Sequence, residues 1–194
     1  MKRVLLLLAG GFEVYEASVF TDVIGWNLVE GGGNTELVTC GLRREISSAF
    51  GLEVVTGTTI GEVDVDDFDA LAIPGGFEEY GFYEDAYDER FLELIREFHR
   101  KDKFIASVCV AALPIGKSGI LRGKNATTYN LNRGVRMEEL RKFGVNVVRE
   151  PLVVDGKIVT SWNPSTAMNV AFTLLEFLTS RENAAYIREI MGFS

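Results

Sequence analysis

The chain has 194 residues, 47% apolar and 25% charged, and its 20 basic and 28 acidic residues leave a formal charge of −8. The apolar content excludes disorder and suffices for a sizeable buried core, while the acidic balance excludes the basic face that a nucleic-acid backbone requires. Two cysteines and one histidine exclude a disulfide-stapled scaffold, a multi-cysteine zinc site and any mechanism needing two histidines of one chain.

Val4 to Ala9 is an unbroken apolar run, as expected of a parallel strand buried on both faces. Met1-Lys2-Arg3 before it resembles the start of a signal peptide. The run is shorter than a signal core, however, and Gly10-Gly11 and Glu13 follow directly. No apolar run reaches the roughly 20 residues of a membrane helix, so a cytoplasmic location without membrane partners is expected. Val19, Phe20, Val23, Ile24 and Trp26 recur at helical spacing over 15–30, and Gly31-Gly32-Gly33 stops that helix. Glu36 to Thr39 reads as a second strand ending at Cys40, a packing residue. Residues 46–60 read as a hairpin or edge arm. Asp69 to Ile73 is a short buried strand closed by Pro74-Gly75-Gly76. The acidic run from Glu78 to Glu89 reads as a solvated face.

Asp88 caps a helix that buries Phe91, Leu92, Ile95 and Phe98 and carries His99 in its last turn. Phe104 to Val108 is the next strand, followed by a helical run from Val110 to Lys117. Asn125 to Thr128 reads as a strand and Val135 to Phe143 as a helix. Asp155-Gly156 between two β-branched runs signals a two-residue hairpin. Asn163 caps, and Pro164 starts, a long helix; a terminal helix covers about 181–191. The alternation predicts one three-layer α/β domain over residues 1–194 with a mostly parallel sheet.

Open α/β sheets bind ligands outside the carboxyl ends of their strands. Three loops fall there: Gly10 to Glu16, Pro74-Gly75-Gly76, and Ala106 to Ala112. The last places Cys109 where a buried strand turns into a helix, with the small residues Ser107 and Ala111 two positions either side, as a nucleophile elbow requires. The N–H of Val110 and one from Gly75 or Gly76 are candidate oxyanion donors. A helix start behind the sulfur favours a thiolate.

Together, the strand-one loop ending in Glu16, the Pro74-Gly75-Gly76 turn, the Cys109 elbow and Thr127-Thr128 resemble the ThiJ/PfpI (DJ-one) family. The similarity extends to the Asp155-Gly156 hairpin and Ser161-Trp162-Asn163-Pro164. The resemblance implies a flavodoxin-like three-layer sandwich of the class I glutamine amidotransferase type, a homodimer, and no cofactor or metal. Cys109 matches the family's reactive cysteine, Glu16 the acid that hydrogen-bonds it, and Gly76 and Val110 the backbone donors. A carboxyl beside a thiolate is expected to stay protonated, since two negative groups repel in a desolvated pocket.

The departures concern histidine. Peptidase-like members place one directly after the cysteine, where this chain has Val110. The redox-protective branch, which the chain resembles more, often has one after the Thr-Thr pair; here Tyr129 and Asn130 follow. Tyr129, Asn130 and Glu13 are expected around the pocket. His99 cannot substitute: it precedes the 104–108 strand, which spans roughly 17 Å, and Cys109 follows it. Two function classes stay open. One is a glyoxalase- or deglycase-like enzyme in which Cys109 attacks a small carbonyl substrate and Glu16 moves protons. The other is a redox sensor or protective protein in which an oxidant converts Cys109 to sulfenic or sulfinic acid. Peptidase or amidase activity is least favoured, because amide cleavage needs a leaving-group acid.

Overall fold

The computed structural model describes residues 1–193. The apolar runs form the central strands. β1 (Lys2–Leu8), β6 (Ala70–Ile73) and β7 (Phe104–Ser107) are parallel neighbours, with Leu5 beside Leu71 and Leu71 beside Ile105. Covered on both faces, they hold almost no polar side chain, because an unpaired one there would lose its hydration. β2 (Thr35–Gly41) pairs parallel to the other side of β1, and β5 (Thr58–Thr59) closes that edge. The opposite edge is the antiparallel hairpin of β10 (Leu152–Asp155) and β11 (Ile158–Ser161), giving the order β10-β11-β7-β6-β1-β2-β5. Asp155 pairs with Ile158, so the turn residues are Gly156 and Lys157, one position later than predicted. Gly156 takes the positive φ of 60° that the turn needs.

Helices flank this mostly parallel sheet. α1 (Val14–Glu30), α6 (Ala167–Leu178) and α7 (Arg181–Ile190) pack together on one side. α3 (Glu89–Arg100) and α4 (Ala112–Ser118) pack on the other, with α5 (Val135–Lys142) against α4. The predicted caps form: the Asp88 carboxylate accepts from the Arg90 N–H at 2.9 Å, and the Asn163 side chain accepts from the Ser165 N–H at 3.2 Å. Among the described residues, no helix is long and apolar enough to cross a membrane.

One local reading is resolved and two change. The arm over 46–60 is a separate hairpin of β3 (Glu45–Ser47) and β4 (Glu53–Val55). The strand predicted over 125–128 shortens to β8 (Asn125–Ala126), which pairs with β9 (Asn146–Val147) outside the main sheet. The acidic run contains α2 (Phe82–Ala86), and its Asp85 is buried rather than solvated. The Asp85 carboxylate accepts from the Gly10 N–H at 2.7 Å and pairs with Arg43 at 2.9 Å, which fastens the loop after β1 to α2.

β2 lies on one side of β1 and β6 on the other, so the strand order reverses at β1. The loops leaving β1, β6 and β7 therefore open into one crevice at their carboxyl ends.

Candidate active site

Cys109 stands two residues beyond the end of β7 in the left-handed conformation, φ 59°, before a single 3-10 turn leads into α4. A side chain there costs roughly 1–3 kcal/mol, and neighbours must hold it. The Val108 N–H donates to the Ile73 carbonyl at 3.2 Å, and the Thr128 hydroxyl donates to the Cys109 carbonyl at 2.9 Å. Thr128 thus braces the elbow from behind. The bend points the sulfur out of the sheet, and Cys109 keeps 6% exposure.

Glu16 lies in the first turn of α1 and is wholly buried. Its Oε2 accepts from the Gly75 N–H at 2.7 Å, while Oε1 has no partner of hydrogen-bonding geometry. Burial, reinforced by the negative charge of Glu13, pushes the Glu16 carboxyl up to about 8 against the pull of the Gly75 N–H. Glu16 is therefore protonated at neutral pH, and the bare Oε1 is where that proton has no acceptor fixed by the fold. Burial also raises Glu13, though only half as deeply placed, and the neighbouring Glu16 carboxyl pulls the other way.

The thiol departs from expectation. Burial, then the adjoining Glu16 carboxylate, pushes Cys109 well up, opposed by the Val110 N–H at the sulfur. The neutral form of Glu16 removes the second cause and leaves burial, with the charge of Glu13 adding in the same direction. The group at rest is thus a thiol rather than the low-pKa thiolate predicted from the helix start, because burial outweighs the Val110 N–H at the sulfur.

The glycines follow from this crowding. A Cβ on Gly75 would lie 2.8 Å from Glu16 Oε2 and 3.0 Å from Cys109 Cβ. One on Gly76 would overlap the Gly11 carbonyl oxygen and the Phe82 ring. The two N–H groups differ, however. Gly75 spends its own on Glu16 and is not an oxyanion donor, which corrects the sequence reading. The Gly76 N–H has no protein acceptor among the described residues and borders the cavity with Val110.

That cavity has a volume of about 570 Å³ and reaches Cys109. Glu13 and Tyr129 line it as predicted. Asn130 does not: its side-chain oxygen accepts from Asn163 Nδ2 at 3.0 Å, so it positions Asn163, which does line the cavity. His99 is in the last turn of α3 and is not among the lining residues. Glu78 and Glu79, the acids after Gly75-Gly76, both border the space.

The far wall was not anticipated. Tyr83 of α2 and Arg136 of α5 face the cavity together, the guanidinium 5.1 Å from the ring centre. Arg136 donates to Glu78 at 2.6 Å and to Glu139 at 2.9 Å, which neutralise its charge. No motif marks this pair; an arginine in the first turn of a predicted helix, unfavourable to the dipole, was the available signal. Among the described residues, no three His, Cys, Asp or Glu side chains gather in a way that would hold a metal ion.

The profile of the DJ-1/PfpI family matches residues 2–177. Protein DJ-1 homolog B of Arabidopsis thaliana is 30% identical over 187 residues, covering 96% of this chain and 40% of the plant protein. The chain thus spans less than half the length of that relative. A deglycase of Pyrococcus abyssi is 30% identical over 162 residues, covering 84% of this chain and 90% of the archaeal one. The crystal structure of Drosophila melanogaster DJ-1beta superposes with a TM-score of 0.86 at 23% identity, covering 100% of this chain and 98% of that one, a likeness of fold.

Proposed function

The chain belongs to the DJ-1/PfpI family, and on that premise we propose that it is a cysteine-dependent enzyme acting on small carbonyl compounds, of glyoxalase or deglycase type, without a metal. The observation that carries this reading is Cys109: a thiol on a left-handed bend, open to a cavity, beside a buried carboxyl that holds its proton to about 8. A relative named as a deglycase supports the substrate class.

For a 2-oxoaldehyde the steps balance without an oxidant. The Cys109 sulfur bonds to the aldehyde carbon, the carbon–oxygen π bond opens, and the thiol proton ends on that oxygen, giving a hemithioacetal. Glu16 passes its proton to Glu13, the neighbouring carboxyl that borders the cavity. It can then take the proton from the first carbon and return it to the second, while the hydroxyl proton on the first carbon's oxygen passes to the second carbon's oxygen. The product is a thioester, which water cleaves to the 2-hydroxy acid and the free thiol. A buried acid with a pKa near neutrality suits this two-way transfer. In this reading negative charge on oxygen is received by the Gly76 N–H, which has no protein acceptor among the described residues and borders the cavity, and by the Val110 N–H beside the sulfur.

Oxidation sensing at Cys109 is the second reading. In its favour, the Val110 N–H and a protonated Glu16 lie beside the sulfur and would stabilise a sulfinate. Against it, oxidation follows thiolate character and exposure, and Cys109 is a buried thiol. The test is methylglyoxal turnover, without metal or glutathione, by wild type and Cys109→Ser. The enzyme reading expects turnover only in the wild type; equal background rates in both remove it for that substrate.

A further inference from the structure

Five buried side-chain polar atoms among the described residues lack a hydrogen-bond partner, on Glu16, Tyr83, Thr127, Ser161 and Trp162. Only Tyr83 belongs to a residue that lines the cavity. A buried hydroxyl left unpaired costs roughly 1–3 kcal/mol, so its retention calls for a reason. Its ring is also held from several sides. It packs edge-on to Phe82 with centroids 5.3 Å apart, tilts against Tyr87 at 4.9 Å, and carries the Arg136 guanidinium on its face at 5.1 Å. The Glu78 and Glu139 carboxylates fix that guanidinium in turn. Tyr83 thus lines the cavity with a rigidly held ring whose O–H is buried and unpaired at its edge, a donor that the fold leaves without an acceptor.

We infer that Tyr83 is a further catalytic residue, whose hydroxyl donates a hydrogen bond to the substrate oxygen as Cys109 adds to its carbonyl carbon. The inference rests on the proposed carbonyl chemistry. Sulfur–carbon bond formation moves the carbonyl π electrons onto oxygen, and Tyr83 stabilises that oxygen together with the Gly76 and Val110 N–H groups. Burial pushes the phenol far above its ordinary range, against the opposing pull of the Arg136 guanidinium. The hydroxyl therefore remains a donor throughout and is not the base that moves the carbon-bound proton. The thiol proton ends on the substrate oxygen, so Tyr83 gains and loses nothing over a cycle.

Tyr83→Phe keeps the ring, its packing and the guanidinium contact while removing the donor. Loss of one preorganised donor to a developing oxyanion lowers kcat by about 10²-fold. That fall in methylglyoxal turnover is expected with KM changed by no more than about two-fold. Alkylation of Cys109 by iodoacetamide expels iodide and builds no negative oxygen, so its rate should not change. An unchanged kcat overturns the proposal, as does an alkylation rate that falls in parallel with turnover. If wild type turns over no faster than Cys109→Ser, the enzyme reading fails separately. The extent of the methylglyoxal adduct on Cys109, by intact mass, then decides for Tyr83: lower occupancy in Tyr83→Phe sustains its role and equal occupancy ends it.

Discussion

The carboxyl ends of β2 and β7 each present a buried cysteine, and the contrast shows what turns a core thiol into a candidate nucleophile. Cys40 is inside β2, beside Leu7 of β1 and Thr58 of β5, with its sulfur 3.9 Å from the Gly41 carbonyl. Burial, then the charge of Glu62, pushes it to about 12. Cys109 is nearly as buried and also raised. Burial therefore does not distinguish them. The difference is that the backbone at Cys109 has left the sheet through a left-handed residue, which turns the sulfur toward a cavity, a carboxyl and a free N–H. Cys40 stays in the ladder and, among the described residues, faces no cavity or buried carboxyl.

Alkylation is the sharpest way to break this comparison. Iodoacetamide should modify Cys109 in the folded protein, whereas Cys40 waits for opening of the central sheet. Such opening approaches the global stability, several kcal/mol, so Cys40 should react roughly 10³-fold or more slowly. Peptide mapping over time gives both rates. Comparable rates would mean that the bend and cavity confer nothing on Cys109.

The next largest effect tests the crowding that holds the elbow. Gly76→Ala inserts a methyl where the Gly11 carbonyl oxygen and the Phe82 ring already meet. Overpacking of this kind costs about 1–3 kcal/mol, here toward the upper end because one neighbour is backbone. Urea denaturation should show that loss. Gly61→Ala, with open space around its added carbon, should not.

Sequence legibility follows the same division. The central strands could be read because burial on both faces leaves an apolar run, and Asp88 and Asn163 because caps are local. The Cys109 elbow was visible through Ser107 and Ala111, whose small size is a local demand of the turn. Asp85 looked solvated because its partners, Gly10 and Arg43, are 75 and 42 residues away. Tyr83 and Arg136 were missed for the same reason: separate helices bring them to one cavity, and no periodicity records that meeting. The N–H of Gly75 was misassigned because its acceptor, Glu16, sits 59 residues earlier.

The smallest expected effect isolates the carboxyl that Cys40 lacks. Glu16 titrates near 4.5 when unfolded and at about 8 when folded. Between those values the folded state holds a proton that the unfolded chain has released. The resulting stabilisation is fully present below about 4.5 and is lost as pH rises through about 8. One proton gives a slope of at most about 1.4 kcal/mol per pH unit, so wild type should lose about 1 kcal/mol between pH 6 and 7 on this account. Glu13 adds to the slope in the same direction. Cys109, raised above 9, acts only at higher pH, and Asp88, lowered to about 2, acts only in acid. Glu16→Gln keeps an acceptor for the Gly75 N–H and cannot titrate. The difference between wild type and Glu16→Gln therefore isolates this one group. Equal slopes for the two proteins over pH 5 to 8 would show that Glu16 is ionised in the fold, which would leave two negative groups at the sulfur on deprotonation and remove the acid from the proposed chemistry.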